Sequence, residues 1–238
     1  MAVYHQEEFL DQLAAKLNRP RIKKAPDPIV LPHSCHEEVM ATATSDELKH
    51  NLLEYSEKTL GAMVKVTTRN DFPQAFIETC RHFVGDSKEP SVVSGDSRLT
   101  DLLDDSRIRE SGLAFYIWNA EAGYEENIRY TEAAKVGVVF AEQAMAESGT
   151  IVLYSSPVQG RAISLLPETS IFVIPKSALV PRVTQACRLL HEKASCEERL
   201  PSCVNFISGP SSTADIELIK VVGVHGPINA CYMIIDDE

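Results

Sequence analysis

Apolar residues recur along the chain with two different periods, and their alternation outlines the fold. Phe9, Leu10, Leu13, Ala14 and Leu17 fall at helical spacing, which predicts an amphipathic first helix, and a proline-rich segment over residues 20–32 ends it. From Ser45 the pattern predicts a helix on Leu48, Leu52 and Tyr55, a strand over 64–68, and a helix whose buried face is Phe72, Ala75, Phe76, Cys80 and Phe83. Asp71 and Pro73 suit the start of that helix as cap and early-turn proline. Short strands follow at 91–93 and 113–118. The second half adds apolar runs at 136–139, 150–154, 171–174, 204–207, 218–224 and 231–235, and a helix over 181–191 that turns Val183, Ala186, Cys187 and Leu190 inward. Near-continuous apolar strands joined by helices predict an α/β domain whose sheet is covered on both faces.

With 238 residues, 44% of them hydrophobic, the chain can bury one sizeable core, and no Gly/Ser/Pro linker interrupts its middle. We therefore expect residues 1–44 to form an N-terminal helix and proline-rich arm, and residues 45–238 to form one domain. A net charge of -11 disfavours a nucleic-acid partner, because the single basic cluster, 19–24, is short. The start MAVYHQEEFLDQL is acidic and lacks an apolar segment of the secretory kind. No run approaches the roughly 18 apolar residues of a membrane span, so the expectation is a soluble cytoplasmic protein. Cys35, Cys80, Cys187, Cys196, Cys203 and Cys231 form neither a CxxC pair nor a ferredoxin-like run, which favours small core residues over metal or cluster ligands. Dinucleotide, P-loop, zinc-ligand and GxSxG patterns are absent too, so no cofactor is expected in this chain.

In open α/β sheets ligands sit beyond the carboxyl ends of strands. Three loops then draw attention: 94–96 after SVV, 146–150 ahead of IVLYS, and 208–215 after CVNFI. The densest polar stretch is SGPSSTADIELIKVVGVHGP, 208–227, in which Ser211, Ser212 and Thr213 suit a helix N-terminus whose free N–H groups attract anions. Ser208, Gly209, Ser211 and Thr213 form a candidate substrate-binding set, although capping alone accounts for the hydroxyls equally well. Glu147 is a candidate reacting or substrate-orienting carboxylate, and Ser148, Gly149 and Thr150 beside it are candidate substrate-binding residues whose hydroxyls can donate to a bound anion; the plain alternative for Glu147 is a turn residue that satisfies nearby amides. Asp215 suits a hydroxyl, a cation or His225 as partner. His225 lies between glycines in GVHGP, where a tight turn can aim an imidazole able to give or take a proton near neutral pH. We expect Glu147, Thr213, Asp215 and His225 to converge on one pocket. Asp96 and Arg98 in SGDSR are accounted for by a local turn.

GPSSTADIE followed by GVHGP, with AESGT at 146–150 and the LLP turn at 165–167, resembles the LUD (lactate utilisation) domain family, particularly its LutC/YkgG branch. LNRP at 17–20 extends the resemblance toward the N-terminus. Ser212 stands where many relatives carry Arg, a departure from a strongly basic anion pocket, and Ser148 stands where they carry Thr, which keeps the hydroxyl. The resemblance implies a Rossmann-like three-layer sandwich of the NagB/RpiA/CoA-transferase-like type with an N-terminal helical arm. It also implies a subunit of a cytosolic system that oxidises L-lactate to pyruvate, in which iron-sulfur partner proteins hold the redox centres and this chain is a non-redox accessory subunit. The same fold admits a stand-alone enzyme, CoA-transferase-like or sugar-phosphate-isomerase-like, with Glu147 as nucleophile or base and the 208–213 loop holding phosphate or carboxylate.

Overall fold

The computed structural model describes residues 4–24, 27, 29, 30, 32–196, 199–215 and 217–237. Ala25, Pro26, Pro28 and Leu31 of the proline-rich segment, and Ile216 of the TADIE element, lie outside the described residues. The chain divides into two compact units, Met1–Cys35 and His36–Glu238. The first contains α1 (Gln6–Lys16), which buries Ala14. Arg21 ties this unit together: its guanidinium donates to the Glu7 carbonyl, the Glu7 carboxylate and the Asp11 carboxylate, each at 2.9 Å. A short α2 (Cys35–Glu38) follows.

The larger unit runs α3 (Ser45–Tyr55), β1 (Met63–Thr67), α4 (Phe72–Val84), β2 (Ser91–Val93), α5 (Ser97–Leu103), α6 (Ser106–Arg109), β3 (Phe115–Ile117), α7 (Gly123–Ala133), β4 (Val136–Phe140), β5 (Gln143–Met145) and β6 (Thr150–Tyr154). It continues with β7 (Thr169–Pro175), β8 (Leu179–Val180), α8 (Val183–Ser195), β9 (Val204–Ser208), β10 (Ser212–Thr213), β11 (Val221–Val222) and β12 (Asn229–Ile235). Thr44 starts α3 with a capping box: its hydroxyl accepts from the Glu47 N–H, and the Glu47 carboxylate accepts from the Thr44 N–H at 2.7 Å. Asp71 precedes α4 as expected, with Pro73 in the first turn, but its carboxylate accepts from the Thr68 hydroxyl and makes no cap bond to the helix.

Six strands form a parallel sheet in the order β1-β12-β7-β4-β2-β3. One face packs on α4, α5 and α6 through Phe72, Phe76, Cys80, Leu99 and Ile108. The other packs on α3 and on a second, four-stranded sheet, β8-β5-β6-β9, through Leu48, Leu52, Ala144, Ile151 and Leu153. α8 covers the far side of that second sheet, with Ala186 against Met145 and Val152. The result is a Rossmann-like three-layer α/β sandwich. No helix among the described residues is long and apolar enough to cross a membrane.

Two expectations are corrected. The strands do not all join one covered sheet: β9, the CVNFI strand, pairs antiparallel with β6 in the second sheet. An apolar run encodes burial but not the identity of its partner. The hydroxyl cluster Ser211 to Thr213 starts no helix, because Ser212 and Thr213 pair with Val222 and Val221 in a small hairpin, and the strand expected over 218–224 shrinks to Val221–Val222.

Candidate functional site

Two glycine turns meet at the start of β6 and the end of β9, where Thr150 lies opposite Ser208 in register. Gly149 has φ 58°, and a Cβ there would stand 2.7 Å from Leu60 Cδ1 and 2.8 Å from Ser56 Oγ. Gly209, at φ 70°, would place a Cβ 2.8 Å from the same leucine. Both positions thus need glycine for conformation and for space. Tyr232 of β12, fully buried, joins the turns: its hydroxyl accepts from the Gly209 N–H and donates to the Gly149 carbonyl, each at 2.7 Å. Burial raises the Tyr232 phenol well above its ordinary range, against a smaller opposing effect of the Gly209 N–H, so it stays a neutral donor. A hydroxyl chain runs beside it, with Ser148 Oγ to Thr150 Oγ1 and Thr150 Oγ1 to Ser208 Oγ both at 2.7 Å.

Ser208 also borders a cavity of about 320 Å³ beside the amino ends of β7 and β12, shared with Gly209, Ser211 and His225. The Ser211 N–H donates to the Pro227 carbonyl and its own carbonyl accepts from the Gly223 N–H, which seats the hairpin over the GVHGP turn. Ser164, Ser170 and Ser212 add hydroxyls to the lining, and Phe172 and Ile207 supply apolar wall. The arrangement offers neutral donors and one imidazole around a space suited to a small polar molecule.

The four residues expected to converge do not share this cavity. His225 reaches the cavity, while Glu147, Thr213 and Asp215 do not line it. Glu147 is exposed, and its carboxylate accepts from Arg182 Nε at 2.7 Å at the start of α8, where the helix N-terminus favours a negative charge. Its backbone N–H donates to the Pro181 carbonyl. Thr213 Oγ1 accepts from the Asp215 N–H at 3.2 Å, a local turn contact, and Asp215 faces outward. The physical reason is the one that corrected the strands: with β9 in the second sheet, the loop after it opens beside the amino ends of the parallel strands instead of their carboxyl ends.

Sequence reasoning missed Tyr232 and Arg182. Tyr232 sits in the apolar run CYMII, and its only signal is a phenol in a buried strand, which needs a hydrogen-bond partner. It also undervalued SGDSR. Asp96 caps α5 and accepts from Arg98 Nε and Nη2 at 3.0 and 2.7 Å, and Arg98 Nη2 reaches Glu142 at 2.5 Å while its guanidinium stacks 4.5 Å from the Phe140 ring centre. Burial works to raise the Asp96 carboxyl, yet the side-chain, backbone and charge interactions with Arg98 together bring it below its ordinary value.

Comparison with known proteins places this architecture. The sequence model of the LUD domain matches residues 33–235. The chain is 42% identical to YkgG of Escherichia coli (strain K12), with 97% of each chain covered. It is 39% identical to lactate utilization protein C 1 of Bacillus mycoides (strain KBAB4) over the whole of both chains. Lactate utilization protein C of Halalkalibacterium halodurans is 41% identical, covering 99% of this chain and all of that one. A crystal structure of a DUF162 family protein from Deinococcus radiodurans superposes with a TM-score of 0.57, covering 81% of this chain and 99% of that one; at 19% identity it speaks to the fold alone. With the family's sequence model spanning most of its length and relatives alike from end to end, the chain belongs to the LUD domain family.

Proposed function

We propose that this chain is a cytoplasmic lactate-utilisation protein, a non-redox subunit that binds a small hydroxy-carboxylate for a system oxidising L-lactate to pyruvate. The observation that carries the reading is its end-to-end likeness to lactate utilization protein C chains. The cavity beside His225 supports it, since its hydroxyl lining suits a small hydroxy acid. In this reading Ser208, Gly209 and Ser211 hold the carboxylate, and His225 exchanges the hydroxyl proton. Ser148, Gly149 and Thr150 keep the turn in place, Glu147 anchors it to α8, and Thr213 and Asp215 shape the hairpin. Oxidation of L-lactate to pyruvate releases two electrons and two protons, and we assign the electrons to iron-sulfur partner proteins. The cysteines support this assignment, since among the described residues no three His, Cys, Asp or Glu side chains group as metal ligands would. We also take the sandwich to be of the NagB/RpiA/CoA-transferase type.

The test is gene disruption in a strain without another lactate dehydrogenase. Growth should fail on L-lactate and persist on pyruvate, return with the parent gene, and stay impaired with a Ser211→Ala, His225→Ala double variant. Affinity capture at native expression should bring down iron-sulfur proteins. Normal growth on L-lactate after disruption would refute the reading.

A further inference from the structure

The parallel sheet reverses its winding between β2 and β4. From β2 the chain passes through α5 and α6 to β3 on one side, and from the neighbouring β4 it passes through β5 and β6 to β7 on the other. Loops leaving adjacent strands in opposite directions open a crevice at the carboxyl ends, which is where open α/β sheets receive ligands. A cavity of about 630 Å³ lies there, bordered by Asp96 after β2 and Glu142 after β4. It is distinct from the cavity beside His225, and the two share no lining residue.

Carboxylates, an amide and serine hydroxyls line its interior, so that acceptors outnumber donors. Asp96 and Glu142 are both held by Arg98, which spends its donors on them and does not itself line the cavity. Gln159, also lining it, is 3% exposed; its Nε2 donates to the Tyr154 carbonyl at 3.2 Å, and its Oε1 has no partner among the described residues. Ser155 Oγ is buried there too, with no partner among the described residues. A buried acceptor left without a donor is costly, so these atoms point to a ligand that brings donors. On the exposed side stand two cations, Lys193 of α8 and Arg199. Acceptors inside and cations outside match a molecule with hydroxyls along its body and an acidic group at one end. The cations at the exposed side disfavour an ammonium group there, which leaves hydroxyls as the donors.

We propose that the crevice between β2 and β4 is a second binding site, for a small polyhydroxylated anion whose hydroxyls reach Asp96, Glu142 and Gln159 and whose acidic group meets Lys193 and Arg199. The proposal is independent of the lactate reading, because it uses a different end of the sheet and none of the residues around His225.

The protein carries its own reporter. Trp118 is the single tryptophan, its Nε1 donates to the carbonyl of Pro157 at 3.2 Å, and Pro157 borders the crevice. Tryptophan fluorescence of the full chain would be titrated with D-gluconate and with D-glucose 6-phosphate, which separate a carboxylate head from a phosphate head. D-glucitol, inorganic phosphate and L-lysine serve as comparisons. The expected result is a saturable change with at least one of the two hydroxylated anions, weakened about tenfold or more in Arg199→Ala, an exposed substitution that leaves the fold alone, and in Gln159→Leu with its fold checked by circular dichroism. His225→Ala should bind as the parent does. No saturable change with either probe, equal binding by Arg199→Ala, or an equal response to D-glucitol, phosphate or L-lysine would overturn the proposal.

Discussion

Beside the amino ends of β7 and β12, the groups that join the turns are neutral: a phenol, two peptide units and three hydroxyls. At the carboxyl ends of β2, β4, β7 and β12 they are ionic. Arg98 clasps Asp96 and Glu142 there, while Lys49 and Lys176 share Asp46 and Asp236. Neutral hydrogen bonds in a dry interior keep their strength in salt and across pH, whereas exposed ion pairs weaken with both. The buried turns at one end are therefore a fixed scaffold, and the ion pairs at the other are a tunable surface. The difference has a functional side. A neutral, hydroxyl-lined cavity selects by hydrogen-bond geometry and size, while the crevice between β2 and β4 also selects by charge.

The largest effect should come from Gly149→Ala. Forcing a side chain into a left-handed position that already touches Leu60 and Ser56 is expected to cost about 2–4 kcal/mol of stability. Urea unfolding at low salt and at about 0.5 M salt should give the same loss, since no charge is involved. A variant as stable as the parent would show that the turn is free to relax and that this end is no fixed scaffold.

Tyr232→Phe comes next. It removes one hydroxyl and leaves the Gly209 N–H and the Gly149 carbonyl without their partner in a buried setting, at about 1–3 kcal/mol. The loss should again ignore salt. Because the Gly209 turn borders the serine cavity, the variant should also lower any activity that depends on Ser208, an effect that complementation on L-lactate would read.

How much of this was legible beforehand divides along the same line. Strand positions such as 91–93 and 150–154 were readable because continuous apolar runs register burial directly. The pairing of β9 with β6 was not, because Cys203 to Ile207 is equally apolar in either sheet, and that one ambiguity moved the expected pocket from one end of the sheet to the other. AESGT and GPSSTAD stood out as strings, yet their fixed points are glycines held by Tyr232, whose distance along the chain hides the contact. Glu147 shows the limit from the other side: a carboxylate in a glycine turn suggests chemistry, and nothing local announces Arg182 as its partner.

Arg98→Met tests the ionic end. Both carboxylates lose their partner, but the guanidinium is about half exposed, and screening should hold the loss below about 1 kcal/mol. The loss should shrink further in salt, the reverse of the behaviour predicted for Tyr232→Phe. A large, salt-independent loss would mean that stacking on Phe140, not charge, is what Arg98 contributes.

The smallest expected effect is the one that separates the two ends by pH. Lys176 and then Lys49 hold the Asp46 carboxyl below its ordinary value, and Lys49, with Lys176, does the same for Asp236 against a burial effect that opposes them. A carboxyl whose value in the folded chain is depressed stabilises the fold above the unfolded value, near 3.9 for aspartate, and that stabilisation is lost as pH falls through the folded value. Asp236→Asn removes one of these carboxylates. It should lower the melting temperature slightly at pH 7, and the gap to the parent should close as pH falls from about 5 toward 2, where the parent's own carboxylate becomes protonated. Tyr232→Phe should show no such closing, since its phenol is neutral throughout that range. If the Asp236→Asn gap persists unchanged at pH 3, the contacts among Asp236, Lys49 and Lys176 act through packing and not through charge, and the contrast between a neutral and an ionic end of the sheet fails at β12.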